Sequence, residues 1–389
     1  MKDFDVIVLG LGAMGSSTLY QLSKRGCRAL GIDKFSPPHA EGSTHGDTRI
    51  TRLAIGEGDE YVPFARRSHQ IWPEIEKATG TKLLFTTGGL IMSSDAKTSS
   101  VHVGNFFNNT VSAAERYAIG HEILGAADIR KRFPQFNVAD DEVGYFEPEA
   151  GYLVPEDCVE AQIELAARNG SAVRTNEEAL SFRSDGSKVE VKTGLDTYTA
   201  RNLVITAGPW LPELIGRPYS SLFSVYRQVL YWFDIETGSR EMFEPGRCPV
   251  FIWELQGREQ GIYGFPAVNG PAGGVKIATE QIAKTTTPGT VRREVSDEET
   301  EEIYENYIAP YFPALGRRCL RAVTCLYTST KGARFLIDTH PEYKNITIVS
   351  PCSGHGFKHS ASIGEAVAER VLDGTSKLDL GEFSFERFL

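Results

Sequence analysis

The feature that most constrains this chain is GLGAMG, in which Gly10, Gly12 and Gly15 stand between an apolar, β-branched run, Phe4 to Leu9, and a helical pattern through Leu19 and Leu22. Strand, glycine turn and helix in that order read as the start of a βαβ unit. A second apolar run, Ala29 to Ile32, ends at Asp33 and completes it. Gly10 permits the tight turn, Gly12 lets backbone approach a pyrophosphate, and Gly15 lets helix and strand pack closely. The helix N-terminus offers free amides and a positive dipole end to phosphates. Asp33 follows Gly15 by 18 residues. A carboxylate there can accept both ribose hydroxyls and repels a 2′-phosphate, which favours FAD or NAD over NADP. The motif alone does not choose between flavin and nicotinamide.

Beyond this unit the chain alternates rather than repeats. Helices are predicted over 61–78, 127–133, 155–169, 297–311 and 361–372, and strands around Gly88-Gly89 and over 202–207, 226–233, 261–265 and 274–278. Tyr145 to Val154 reads as paired strands or a turn, and Lys188 to Tyr198 as a solvent-facing hairpin. Ile346 to Ser350, the glycine turn PCSGHGFKHS and the last helix repeat the grammar of the N-terminus. Such units at both ends, around an antiparallel-looking middle, imply an α/β fold in which a Rossmann-like domain is discontinuous and carries an inserted α+β domain with an antiparallel sheet. The expected division is 1–85, 145–218 and 329–389 for the nucleotide-binding domain, and 86–144 and 219–328 for the substrate domain.

A length of 389 residues gives room for about two domains. With 41 Lys and Arg against 51 Asp and Glu, the formal charge is −10, and no basic cluster is longer than a pair. Nucleic acid and anionic membrane are therefore excluded as expected partners, and a small molecule is favoured. The six cysteines lack CxxC spacing, so no metal site and no thioredoxin-type motif is expected. No apolar run of about 18 residues occurs. By elimination the expected location is cytoplasmic.

GSTHGDTRITR at 42–52, followed by GEGDEYVPFARRS, together with PPH at 37–39, YRQV at 226–229, YGFP at 263–266, CLYT at 325–328 and SGHGFKHS at 353–360, resembles the monomeric sarcosine oxidase and N-methyltryptophan oxidase family over essentially the whole length. The resemblance implies an FAD domain and a substrate domain in a monomer. It also implies oxidation of a secondary amino acid, N-methyl or cyclic, by O2 to an imine that hydrolyses, with release of hydrogen peroxide. FAD is expected to be attached through its 8α-methyl to Cys325, as an 8α-S-cysteinyl thioether.

Residue by residue, the resemblance implies that Lys276 promotes the reaction with oxygen, since a fixed cation stabilises nascent superoxide in a dry site. Arg52 and Lys358 match a pair that grips the substrate carboxylate, one as a planar fork and one as a point charge. Arg49 and His45 match positions beside the flavin ring. Gly10, Gly12, Met14, Gly15, Asp33, Lys34, Ser43, Thr44, Gly354, His355 and Gly356, with Arg49 and Lys358, are the expected cofactor contacts. Tyr263, Tyr327, Ile252 and Glu280 are expected around the substrate. Without the resemblance, Cys325 reads as a buried hydrophobe, Lys276 as an outward lysine, the arginines as surface groups and the tyrosines as core.

Two departures bear on the substrate. Where the family commonly has K-x-x-x-H, this chain has Glu280, a carboxylate expected to disfavour small acidic or apolar substrates and suited to a second cationic or hydroxyl group. Ile252 and Trp253 stand where a cavity methionine is usual, and two extra residues lie between YGFP and the lysine. Both leave sarcosine itself in doubt. A flavin or NAD dehydrogenase that does not use O2, and a non-catalytic flavin-binding subunit, are the alternatives; colour, flavin retention and peroxide release separate them.

Overall fold

The computed structural model describes residues 2–99 and 101–388. Met1, Ser100 and Leu389, which fall inside the ranges assigned above to the two domains, lie outside the described residues. Val6, Ile7 and Val8 are fully buried, and so are Leu203, Val204 and Ile205. Strands of this kind are apolar on both faces and need helices on each side, the condition of a parallel sheet. They form one: Ala172–Arg174, Ala29–Ile32, Lys2–Leu9, Thr197–Ile205 and Ile346–Ser350 lie side by side in parallel. Antiparallel strands extend this sheet to eight, including the expected hairpin of Val189–Thr193 with Thr197–Ile205.

Helices Ala13–Lys24, Pro155–Arg168 and Ser360–Asp373 pack together against this sheet. Their approach is close enough that Ser17 Oγ donates to Ala361 O at 3.2 Å. A Cβ on Gly364 would lie 2.0 Å from Ser17 Oγ, so only glycine fits there.

A second, nine-stranded sheet is built mainly from the middle of the chain. Its spine is the antiparallel pair Phe223–Ile235 and Leu315–Thr330, which sets Cys325 opposite Gln228 and Tyr327 opposite Tyr226. Val275–Thr279 pairs with the same spine, placing Lys276 opposite Trp232, and Ile262–Gly264 pairs with Val275–Thr279. The sheet is not wholly antiparallel as expected, because Val250–Trp253 runs parallel to Gly89–Ser93. Strands Val143–Glu147 and Leu315–Thr330 each span one of the expected domain boundaries.

Two local expectations are corrected, and one helix stands where none is expected. Tyr145 to Val154 does contain two strands, but they do not pair with each other. Val143–Glu147 joins the large sheet, while Gly151–Leu153 joins a small third sheet between Arg49–Thr51 and Leu84–Thr86. Between them Ala150 O accepts from the amides of Thr87 and Gly88, which fastens the crossing. The helix expected over 297–311 is α-helical only for Asp297–Ile303, where Ser296 and Glu299 form a capping box, and then widens into a π-helical turn, Tyr304–Ile308. The unexpected helix is Phe106–Arg116, where Asn105 stands at the N-cap but makes no capping hydrogen bond.

Candidate active site

A cleft of about 370 Å³ lies at the carboxyl ends of the parallel strands, the place where open α/β sheets bind ligands. Gly10, Gly12, Met14, Asp33, Lys34, Ser43, Thr44, Arg49, Gly354 and Gly356 all line it. Gly15 does not line it and acts from behind. A Cβ there would lie 1.7 Å from Gly10 O, so the glycine sets the distance between turn and helix. Gly12, at the N-cap of helix Ala13–Lys24, offers no capping side chain, and of the first amides Ala13 N–H reaches Thr44 Oγ1 at 3.4 Å, leaving the others to a ligand. Asp33 is buried, its Oδ2 accepting from Leu11 N–H at 2.6 Å and its Oδ1 from Phe35 N–H at 2.8 Å. It thus fixes the turn as well as forming part of the wall. Lys34 pairs outward with Glu178 at 2.7 Å. The hydroxyls of Ser43 and Ser350, both residues of this wall, are buried without a protein partner. Uncapped amides, missing side chains and orphaned hydroxyls in one elongated cleft fit a dinucleotide.

A smaller cavity of about 70 Å³ shares Arg49, Tyr327, Gly354 and Phe357 with the cleft. Lys276, Arg52, Lys358, Cys325, Tyr263, Ile252 and His355 line it. Residues from both ends and the middle of the chain therefore meet here. Cys325 is the buried thiol at the junction: its Sγ lies 3.7 Å from Arg49 Nη2 and donates to Ser43 O at 3.4 Å. Burial pushes this thiol up, against the pull of Arg49. Tyr263 and Tyr327 join hydroxyl to hydroxyl at 3.1 Å.

Lys276 points inward, only 2% exposed, and donates to Gly46 O at 2.7 Å and Thr48 O at 2.8 Å. Its Nζ sits 4.0 Å from the centre of the Phe265 ring. Burial, and then the charge of Arg49, hold it well below the ordinary lysine range. His45 is buried but lines neither cavity, and burial with its cationic neighbours pushes it down to about 3. It is neutral at neutral pH, so of the two residues expected beside the ring only Arg49 carries a charge.

Arg52 and Lys358 do converge, but on a residue that the sequence reading missed. Arg52 Nη2 forms an ion pair with Glu57 Oε2 at 2.6 Å, and Lys358 Nζ lies 3.6 Å from Oε1. Arg52 also donates to Ala54 O, and Lys358 to His355 O at 2.7 Å. Burial opposes ionisation of Glu57, yet Arg52 and Lys358 outweigh it and hold the carboxyl well below its usual range. Burial lowers Lys358 to about 8, with Glu57 opposing. His355 Nε2 donates to Ala333 O at 2.9 Å, and burial pushes this ring down to about 3. Glu57 stands in the GEGDE segment that follows the arginine-bearing motif, so its sequence position was the available signal.

Glu280 is corrected in a different way. Its carboxylate does not face the cavity open-handed, because both oxygens are taken by His102, one by the backbone N–H at 2.9 Å and the other by ring Nδ1. His102 is the residue that lines the cavity. No local pattern marks it, since its partner is 178 positions away. Among the described residues no cluster of His, Cys, Asp and Glu suits a metal, and no helix is long and apolar enough to cross a membrane.

A sequence profile described as "FAD dependent oxidoreductase" matches residues 5–370. The chain is 37% identical over 388 residues to a protein of Streptomyces avermitilis named monomeric sarcosine oxidase, covering 99% of this chain and 97% of that one. It is 33% identical over 386 residues to the N-methyl-L-tryptophan oxidase of Yersinia pestis, covering 99% and 100%. Among solved structures, NikD, described as an unusual amino acid oxidase essential for nikkomycin biosynthesis, matches with a TM-score of 0.84 at 20% identity over 99% of this chain and 98% of that one. L-proline dehydrogenase from P. horikoshii matches with a TM-score of 0.81 at 19% identity, over 100% and 98%. These two likenesses carry the fold, whereas profile and sequence identity carry the family. A glycine-lined dinucleotide cleft joined to a small cationic cavity, in a chain with these relatives, places the protein in the FAD dependent oxidoreductase family, alongside the monomeric sarcosine oxidases and N-methyl-L-tryptophan oxidases.

Proposed function

We propose that the chain oxidises a secondary amino acid, N-methyl or cyclic, at its CH–NH group, passing the electrons to O2. The imine hydrolyses to an aldehyde or keto product and an amine, and hydrogen peroxide is released. The observation that carries this reading is the placement of Arg52 and Lys358, both buried, in a cavity that opens onto the dinucleotide cleft. Buried cations are costly unless an anion meets them. Glu57 meets them in part, and a substrate carboxylate completes the set. The bound FAD supplies a two-electron acceptor that O2 can reoxidise.

The chain's own groups do the rest. Arg52 and Lys358 hold the carboxylate and so orient the C–H bond beside nitrogen. Tyr263, Tyr327 and Ile252 wall the cavity and keep water out. Lys276, fixed by two carbonyls in the same cavity, would offer its charge to the anion that forms on oxygen. Cys325 is the attachment point for the cofactor's 8α carbon. In this reading the segments 1–85, 145–218 and 329–389 bind the cofactor and the inserted segments bind the substrate, in a cytoplasmic monomer.

A peroxide assay across N-methyl amino acids, cyclic imino acids and amines with a second cation tests the reading. Peroxide from a secondary amino acid is the expected result. Flavin reduction without peroxide, detected with an artificial electron acceptor, would replace it with a dehydrogenase. A colourless protein would remove the flavin reading altogether.

A further inference from the structure

We propose that His102, held by Glu280, is the group that takes the proton from the substrate's ammonium before oxidation. The inference rests on the amine-oxidation reading above. A secondary amine is mostly protonated near neutral pH, and an ammonium has no lone pair with which to assist removal of hydride from the neighbouring carbon. A proton must therefore leave first. The N–H bond of the dialkylammonium breaks, its electron pair stays on nitrogen, and a new N–H bond forms at His102 Nε2.

Three observations point to this residue. First, its backbone is in the left-handed region at φ 57°, which a β-carbon disfavours. Residues held in such a conformation by surrounding contacts concentrate at functional sites. Here Glu280 supplies the contacts, accepting from both the backbone N–H and ring Nδ1. The adjoining Val101 and Val103 are bridged to each other across it.

Second, the tautomer is fixed in the useful sense. Burial works against Glu280, but His102 more than offsets it and the group stays a carboxylate. It can only accept, so Nδ1 carries the hydrogen, and in the neutral ring the lone pair is then on Nε2. No protein donor meets that Nε2 among the described residues. The ring lines the cavity, and its Cε1 edge abuts Gly354, where a Cβ would come within 2.6 Å. Gly354 belongs to both cavities.

Third, five other ionisable groups of the cavity are unsuited to the task. Glu57 is bound by Arg52 and Lys358. His355 has its Nδ1 3.7 Å from Glu57, and burial leaves it a poor base. Tyr263 and Tyr327 are phenols made harder to ionise by burial. Lys276 is committed to two carbonyls. The charged and titratable groups facing His102 are Glu280 beyond the end of strand Val275–Thr279, Glu57 from the loop before helix Val62–Thr79, and His355 and Tyr327 across Gly354. Two of the four are carboxylates able to stabilise an imidazolium, as paired carboxylates do for catalytic histidines.

The test uses flavin-loaded protein, wild type and His102→Asn. Asparagine tolerates the left-handed backbone but cannot take a proton. Anaerobic reduction by the best secondary amino acid is followed in a stopped-flow instrument from pH 6 to 10. The wild type should stay within a few-fold across the neutral range. His102→Asn should be roughly 10²-fold slower at pH 7 and recover about tenfold per pH unit as free amine becomes available. Glu280→Gln, which keeps the histidine, should fall between them. Independently of turnover, 15N-histidine NMR with 2-aminoisobutyrate, which has no C–H bond beside nitrogen, should show one Nε2 passing from unprotonated to protonated, a change missing from His102→Asn.

A loss equal at every pH, or no change at Nε2 on binding, would overturn the assignment while leaving amine oxidation in place. Failure of the wild type to be reduced by any secondary amino acid would overturn both.

Discussion

Glu57 and Arg52 form a buried ion pair at 2.6 Å on the wall of the cavity assigned to substrate. Both are nearly inaccessible, at 2% and 4% side-chain exposure. If Arg52 holds the substrate carboxylate as proposed, the pair links stability to binding, because both draw on the same guanidinium.

Removing the anion should therefore be costly. Glu57→Gln leaves Arg52 and Lys358 buried without compensation, and the expected loss is about 3 kcal/mol or more, read as a lower urea midpoint. A small carboxylate such as acetate should restore more stability to this variant than to wild type. The pH dependence has a definite sign. Glu57 is depressed in the folded protein, so its contribution is complete above the ordinary carboxylate value and is lost as pH falls through the depressed one. Unchanged stability in Glu57→Gln would count against this account.

Lys358 gives the cavity a pH limit on its alkaline side. Burial lowers it to about 8, so below that pH it is an ammonium and above it a neutral amine. Binding of a carboxylate favours the charged form. Affinity for a non-oxidisable carboxylate should consequently fall as pH rises through about 8, with a slope approaching tenfold per pH unit. Flavin absorbance titrations from pH 6.5 to 9.5 measure it. Lys358→Met should flatten the curve; a slope unaltered by that substitution would assign the titration elsewhere.

Lys276 should separate the two half-reactions. Lys276→Met removes the cation held by Gly46 and Thr48, and reoxidation by O2 should slow by roughly 10²–10³-fold while reduction by amine changes little. Stopped-flow mixing of the pre-reduced protein with oxygenated buffer measures the first. Equal losses in both steps would argue that the lysine only maintains the site.

The proposed flavin attachment has two candidate thiols. Cys325 lines the small cavity beside Arg49 and Cys352 lines the cleft. Acid precipitation of wild type should give a yellow pellet, and of Cys325→Ser a colourless one with the flavin in the supernatant. Covalent flavin surviving in Cys325→Ser and vanishing in Cys352→Ser would move the attachment to the second cysteine.

Much of this protein is written locally. The spacing of Gly10, Gly12 and Gly15, the apolar runs on either side and Asp33 are contained in one βαβ unit. Each acts through its own backbone freedom, hydrophobic period or reach, so a short window specifies it. Resemblance then added Arg52, Lys276, Cys325 and Lys358 by position, and the folded chain does bring these four to one cavity.

What only the tertiary structure decided are the electrostatic partnerships. Glu57 joins cations from opposite ends of the chain, His102 closes over Glu280 across 178 positions, and the adjoining strands of Tyr145 to Val154 part to different sheets. A buried charge takes whichever counter-charge the packing delivers, and that is fixed by long-range strand pairing rather than by neighbours in sequence. The sequence therefore determined the dinucleotide unit and the charged groups available to the site. The fold decided which of those charges are free to meet a substrate and which are already answered.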